Sequence, residues 1–558
     1  MKHIALHNGH DSSVTAFDGG KVALHLELER HLKIKHFAGV ARGNEIGEAL
    51  NYVLAQLRWK PSDVQNITFC SLDGWNGNWS KTEFSGVVMG HCYSNATSNP
   101  HVTWEGYWRG VKTKFLGVNH HVNHMAYSYF TNKKTNCLLF AIDGMGDFLI
   151  NATYGIGKDN HVSYLGNTTH DNPAGLPFSG FGIMYSLLGE LFPFLGKDPL
   201  STAGKAMGLS SYGRPRDSWR TKVRAILLHN PDQRDEQTIW NDIKSLLRSL
   251  KQEVNADLDD PACKEVQDLM ATIQDESEIL MQDCISILVN KYGVGDICLS
   301  GGCALNCQAN TRITRNVSSL YIPPACSDTG VSIGAGLYYW HHVMGNPFQG
   351  CEWHSPYLGE HVRLDKERMP GIFESFVHET NLPQTAAGHL AQGKIIAWAQ
   401  GRSEIGPRAL GNRSILAAPF PETMKRKVNL IKNREFWRPF APVCLEEDAC
   451  DWFDIDHSQP YMLECPAVRE EKAPLIPAVT HVDGTARLQT VSAKTNPILH
   501  SLLIEFKKLT GVPVLLNTSL NDRNRPIANE CSTILNLMLK SKLDMAFIGN
   551  KFYRKHLI

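Results

Sequence analysis

Two segments of this chain repeat one local pattern, and that repetition limits the fold more than any other feature. In each, an apolar strand runs into a short polar turn and resumes as a second strand. The first is "HIALHNGHDSSVTAFDGGKVALHLELER", which reads as strand, polar turn, strand, Gly-Gly turn and third strand. Beyond it Ile46, Leu50, Val53, Leu54 and Leu57 recur at three- and four-residue steps and predict an amphipathic helix leading to the strand "VQNITFC". The unit is β-β-β-α-β. The second segment, "NCLLFAIDGMGDFLINATYGI", breaks at Asp143-Gly144-Met145-Gly146-Asp147 and continues as a strand.

Two such hairpins with Gly/Asp tips suggest an α/β fold with a duplicated ribonuclease-H-like core of the actin and hexokinase type, whose tips hold nucleotide phosphates. The stretch from about 214 to 291 turns charged and helical, with Leu246, Leu247 and Leu250 on one face, and reads as a helical insertion with a solvated surface. "GDICLSGGCALNCQANTRI" and "YIPPACSDTGVSIGAGLYYW" then give strand, glycine turn and helix. A Pro/Gly/His-rich stretch near residue 350 is the candidate linker, which divides the chain into domains 1–350 and 351–558. At 558 residues two domains are expected, since single domains run roughly 100–200 residues. The second domain carries the strands "KIIAWAQG" and "VPVLLNTSL".

Charge excludes one class of function. Lys plus Arg (56) equals Asp plus Glu (56), so no broad basic face for nucleic acid is expected. The 14 cysteines form no CxxC pair, which suits a reducing cytosol. The N-terminal stretch lacks a signal-peptide core and no run reaches the ~18–20 apolar residues of a membrane span, so a soluble cytoplasmic protein is expected.

Several clusters could carry chemistry. In "FLGVNHHVNHMAY", His120 and His124 stand four apart and would project from one helix face, with His121 displaced from it. Such a pair serves a metal site or is a pair of ordinary surface or core histidines. Aspartates at strand ends, such as Asp143 or Asp328, would complete a His2Asp2 set suited to Fe2+, Mn2+ or Zn2+. The loop Asn8–Ser13 with His10 could receive a phosphate or position an acceptor hydroxyl, or be only a tight turn. Lys33, Lys35 and His36 form a short basic cluster, and Lys205 in "TAGKAMGLSSYG" reads as part of a mobile phosphate-contacting loop or a plain connection. Gly301-Gly302 would let a nucleotide approach the backbone, with Asn306 to bond it. In the second domain Arg408, Arg413, Lys432, Arg434 and Arg438, with Arg487 and the Asn517-Thr518-Ser519 turn, suit a pocket for a small anion.

In this order the motifs "HHVNH", "DGMGD", "GKAMGL", "SGGCALN", "SDTGVSIGAG", "GRSEIGPRALGNRSILAAP", "IKNREFWRPFAP" and "LNTSLND" resemble the O-carbamoyltransferase family of nodulation-factor and antibiotic carbamoyltransferases over nearly the whole length. The resemblance implies an N-terminal domain like the tRNA threonylcarbamoyl-transfer enzymes and a C-terminal domain like threonylcarbamoyl-AMP synthase. It implies His120, His124, Asp143 and Asp328 as metal ligands, with iron expected and Mn2+ or Zn2+ as alternatives. Asp147, Lys205, Gly301, Gly302 and Asn306 would meet the nucleotide. Arg413, Lys432, Arg438, His481, Arg487, Asn517 and Ser519 would bind carbamoyl phosphate.

By that resemblance ATP, with Mg2+, and carbamoyl phosphate yield carbamoyl-adenylate, which passes internally to a hydroxyl of a small natural product or sugar. His10 would deprotonate the acceptor and Lys35 would make a nearby phosphate or carbamoyl contact. A tRNA threonylcarbamoylation enzyme and a non-catalytic nucleotide-binding protein are the alternative readings. No nucleic acid or membrane partner is expected, and a homo-oligomer is compatible with the sequence. Trp75, Trp79 and Trp104 would stack on the acceptor or serve packing. Two departures stand out: Arg523-Asn524-Arg525-Pro526 replaces the family's usual Gly-Glu-Pro, and "HNGHDSSVT" replaces the commoner His-Asp-Ala-Ser form.

Overall fold

The computed structural model describes residues 1–39, 43–72, 84–85, 100–177, 180–229, 236–254, 259–350, 355–364, 373–377 and 381–555. Two compact units divide the chain, and each is described separately. One holds Met1–His25 and His36–Trp353, the other Leu26–Lys35 and His354–Ile558.

Within the first unit the predicted strands form two sheets. Strands β1 (Lys2–His7), β2 (Ser13–Asp18), β3 (Lys21–Glu27), β4 (Val64–Phe69), β5 (Phe84–Ser85), β6 (His101–Trp108) and β7 (Val111–Val118) lie in the order β3-β2-β1-β4-β7-β6-β5. Strands β8 (Asn136–Ile142), β9 (Ala152–Lys158), β10 (His161–Asn167), β11 (Asp296–Ser300) and β12 (Ser319–Tyr321) lie in the order β10-β9-β8-β11-β12. Each sheet starts from an antiparallel hairpin, β1 with β2 and β8 with β9. Each then adds parallel strands on the other side, β4 and β7 in one, β11 and β12 in the other. The same order and directions twice over make the duplicated ribonuclease-H-like core explicit.

The charged stretch after β10 forms three helices, Asp217–Leu227, Glu236–Val254 and Lys264–Tyr292. Their apolar stripes point inward: Val223, Ile243, Leu247, Met270 and Met281 are buried. Trp104 packs in the first sheet, its ring stacked with those of Phe69 and Phe115, both at 5.9 Å. Trp75 and Trp79 lie outside the described residues. Among the described residues no helix is long and apolar enough to cross a membrane.

The second unit is built on one mixed sheet. Its strands are β13 (Phe373–Val377), β14 (Ile396–Ala399), β15 (Arg413–Ala417), β16 (Ala441–Leu445), β17 (Gln489–Val491), β18 (Val514–Ser519), β19 (Met545–Ile548) and β20 (Lys551–Lys555). They follow the order β13-β20-β19-β14-β15-β18-β16-β17. The central strands β14, β15, β16 and β19 are buried along their whole length, so they read as continuous apolar runs with little alternation. The early segment Leu26–Lys35 is tied to this unit by Arg30, which pairs with Glu27 at 2.6 Å and donates to the Glu404 and Gly406 carbonyls. The sequence offers no local sign of this, because the partners are nearly 400 residues apart.

Candidate metal and anion sites

The helix His120–Phe130 carries the histidine pair, and every one of its residues is buried. Its start is fixed by two carboxamide and carboxylate caps. Asn119 Oδ1 accepts from the His121 and Val122 amides at 3.0 and 3.3 Å, and Asp147 Oδ2 accepts from the His120 amide at 2.8 Å. A second helix, Val331–Tyr338, packs directly on it. A Cβ at Gly334 would collide with the Asn123 carbonyl oxygen, so glycine there permits the close approach. That approach brings Asp328, just ahead of this helix, to the histidines.

Four ligand atoms converge as a result. His124 Nε2 lies 3.2 Å from His120 Nε2 and 3.2 Å from Asp143 Oδ2. Asp328 Oδ1 lies 3.5 Å from His120 Nε2 and 3.3 Å from His124 Nε2. All four ligand atoms lie within 4.8 Å of one another, and all four residues are buried. Metal–ligand bonds of about 2.1 Å place neighbouring ligand atoms ~3.0–3.5 Å apart, so the donor set fits a divalent ion of the Fe, Mn or Zn class. Asp143 is aimed by its own turn: Oδ1 accepts from the Gly144 amide at 2.7 Å, leaving Oδ2 to face the histidines.

Burial resists charge on His120, Asp143 and Asp328, yet the attraction between the imidazoles and the carboxylates overrides it. Asp143 is held down to about 2 and Asp328 well below the carboxylate range; burial and, for Asp143, the Asp328 charge push up, but facing histidines prevail. His120 is pushed well above its ordinary value by Asp328 and Asp143 against burial. His121 points away, with Nδ1 2.9 Å from Thr153 Oγ1, and burial holds it down to about 3.

His10 and His7 complete this corner. His10 Nε2 lies 3.3 Å from Asp328 Oδ2, and its Nδ1 lies 3.3 Å from Asp11 Oδ2. Its side chain keeps 44% exposure, and although burial opposes the charge, Asp328 and Asp11 raise it to about 9. His7 Nε2 lies 3.5 Å from the same Asp328 oxygen and 3.0 Å from the His10 carbonyl oxygen. Sequence reasoning passed over His7; its place at the inward-facing end of β1 was the available signal.

The second unit gathers cations with few anions between them. Lys432 Nζ is caged by the Ser519 carbonyl, Ser519 Oγ at 3.1 Å, and Asn521 O and Oδ1 at 3.0 and 2.6 Å. Burial and then the charges of Arg434 and Arg438 push it well below the usual lysine range. Arg434 is likewise depressed by burial, Arg438 and Arg487, and Arg438 is brought to about 10 mainly by burial. His481 is held at about 4 by burial, with Arg487 and Lys425 adding to it and Asp483 opposing. Arg434 Nε, Arg487 Nε, His481 Nε2 and Asn517 Oδ1 are buried without a hydrogen-bond partner. The buried Arg434 and Arg487 donors and the repelling cations together suit an anion with several acceptor oxygens.

Both halves of the chain match one family. Residues 3–337 fit the model described as Carbamoyltransferase N-terminus, and residues 387–555 fit Carbamoyltransferase C-terminus. The chain belongs to the carbamoyltransferase family. Nodulation protein U of Rhizobium tropici is 36% identical over 92% of this chain and 90% of its own length. Nodulation protein NolO of Bradyrhizobium diazoefficiens is 34% identical, covering 78% of this chain and 79% of its own. The 3'-hydroxymethylcephem-O-carbamoyltransferase of Streptomyces clavuligerus is 29% identical over 100% of this chain and 99% of its own.

Four of the residues expected to act in this carbamoyltransferase-family chain have contacts within the fold that the sequence does not show. Arg413 opens the buried strand β15, and its guanidinium is consumed internally: Nε donates to Asn529, NH1 to the Gln400 and Asn412 carbonyls, NH2 to those of Glu360 and Gly401. It holds the sheet and has no donor left for an anion. Asp147 accepts from Ser71 Oγ, the Leu72 amide and the His120 amide, so it orients the helix His120–Phe130. Lys205 sits within the helix Pro199–Ser210, where no mobile loop exists, and donates to the Leu195 carbonyl. Lys35 belongs to the second unit, where its charge is one of those depressing Lys432.

The others sit as follows. Gly301 adopts φ 94, and a Cβ there would collide with the Ile142 carbonyl oxygen, so the turn after β11 requires glycine. A Cβ on Gly302 would reach 2.9 Å from Asp143 Oδ1, which places that backbone beside the metal ligands. Asn306 caps the helix Cys307–Thr314 through the Ala309 amide at 3.2 Å and bonds Gln274 at 2.8 Å. Asn517 Nδ2 donates to the Ala409 carbonyl and to Gln489. Arg434, one of the basic residues that suited a small-anion pocket by sequence, keeps an unpartnered Nε and feels the charges of Arg438 and Arg487.

Proposed function

We propose that the protein is an ATP-dependent O-carbamoyltransferase whose acceptor is a hydroxyl of a small natural product or sugar. The observation that carries this reading is the cluster of Lys432, Arg434, Arg438 and Arg487, mutually repelling cations of which Arg434 and Arg487 each keep a buried, unpartnered Nε, an arrangement that calls for a phosphate. Carbamoyl phosphate binds there, a water adds to its carbonyl carbon and phosphate leaves, giving carbamate; the carbamate oxygen then attacks the α-phosphorus of ATP and pyrophosphate leaves. The acceptor oxygen attacks the carbamoyl carbon of the resulting adenylate, and AMP departs.

His120, His124, Asp143 and Asp328 would hold a divalent metal, with iron favoured by the family resemblance, and the ion would supply positive charge to nucleotide oxygens. With a cation held by Asp328 to offset the charge that keeps the His10 ring protonated, the partly exposed ring, steered by Asp11, would then take the proton of the acceptor hydroxyl. Gly301, Gly302 and Asn306 line the backbone approach for the nucleotide. A route closed to bulk water would protect the carbamate and its adenylate, which break down readily in water.

The test is carbamoyl-phosphate-dependent exchange of labelled pyrophosphate into ATP without acceptor, followed by a screen of hydroxylated acceptors for AMP release. Absence of exchange with the metal-loaded protein would rule the reading out.

A further inference from the structure

After β18 the chain turns through Asp522 and Arg523 beside the basic cluster. Arg523 NH2 lies 3.1 Å from Glu435 Oε1, and its NH1 lies 3.5 Å from the Asn433 carbonyl oxygen. The other carboxylate oxygen of Glu435 stands 3.9 Å from Arg438 NH1, beyond hydrogen-bonding distance. Glu435 is nearly buried at 10% exposure, whereas Arg523 is 46% exposed.

Glu435 is therefore a buried carboxylate at the edge of a site meant for another anion. It favours the charged form of both Arg434 and Arg438, while Arg487 opposes it for both and Arg523 for Arg438. A carboxylate and a phosphoryl group compete for the same guanidinium fork, since both offer paired oxygens at matching spacing. The winner at Arg438 depends on where Glu435 is held.

We infer that Arg523 is a positioning residue for the anion site: it draws the Glu435 carboxylate toward itself and leaves the Arg438 fork open to the phosphoryl oxygens of carbamoyl phosphate. This rests on the function proposed above. Without Arg523 the Glu435 side chain closes the remaining gap to Arg438 and becomes an internal competitor. The arginine thus acts on affinity for the anion and leaves the chemical step alone.

The experiment is a double-mutant cycle on the metal-loaded full chain, with R523A, R523K, E435Q and R523A/E435Q. Readouts are the dissociation constant of inorganic phosphate by calorimetry, and KM for carbamoyl phosphate, KM for ATP and kcat by pyrophosphate release. R523A should raise the phosphate constant and the carbamoyl phosphate KM about fivefold with kcat and the ATP KM unchanged, a size fitting one partly exposed charge contact. R523K should stay within about twofold of the parent, and adding E435Q to R523A should restore both constants to within about twofold. A double variant as weak as R523A would mean that Arg523 touches the anion itself and would overturn the inference, as would an unchanged KM in R523A. A parent protein that binds phosphate yet never converts carbamoyl phosphate would instead bring down the proposed function, and the inference with it.

Discussion

His120 Nε2 and His124 Nε2 face each other across 3.2 Å, and Asp328 Oδ1 lies within 3.5 Å of both. Two imidazoliums at that distance would repel, whereas two neutral rings direct lone pairs at one point between the carboxylates. A cation at that point satisfies all four groups at once.

Replacing His120 or His124 with alanine should lower metal affinity more than about a hundredfold, whereas His121→Ala should keep stoichiometric metal because its ring turns to Thr153. Elemental analysis after dialysis decides it. Full metal content in both His120→Ala and His124→Ala would disprove the ligand set.

Gly334→Val should separate the two buried helices, since even a Cβ there meets the Asn123 carbonyl. The expected result is a loss of several kcal/mol of stability, of the order seen for severe overpacking, together with weaker metal binding because Asp328 is displaced. A variant that melts at the parent temperature and binds metal normally would contradict this.

Arg413→Met should behave as a structural variant. Removing the guanidinium strands four carbonyls and Asn529 in the sheet, a cost of about 3–5 kcal/mol by analogy with broken buried charge networks. Denaturant unfolding should register that loss. If the variant kept its stability and lost only phosphate affinity, Arg413 would be a ligand after all.

His481 gives the pH dependence. Burial holds it at about 4, below the ~6.5 of an unfolded histidine. Between those values the unfolded chain binds the extra proton, so stability falls as pH drops through this window, and His481→Gln should flatten the fall. A bound phosphate would raise the His481 value, so phosphate binding in the same window should take up protons. Calorimetry in two buffers of different ionisation enthalpy measures the uptake; a buffer-independent heat would refute it.

Much of the fold was legible because its signals are local. The two hairpins, the helix before "VQNITFC" and the charged helices between 214 and 291 are written in short-range periodicity. The His120/His124 pair was legible for the same reason, as four residues are about one helical turn. The motif "SDTGVSIGAG" was visible, but the reason for its glycines was not: Gly330 and Gly334 face a helix about 200 residues earlier in the chain, and Gly336 faces Phe17 of β2.

Composition and spacing by themselves established an α/β chain with a repeated hairpin core, a one-faced histidine pair and a store of arginines. Only the tertiary structure decided which polar groups face a site and which are spent within the fold. Arg413 and Arg434 look alike in sequence. One donates to a ring of strand-edge carbonyls, while the other keeps a buried nitrogen unpartnered among like charges. That difference arises because a buried donor must find its acceptor somewhere, and long-range packing alone sets whether the acceptor is the protein or a ligand.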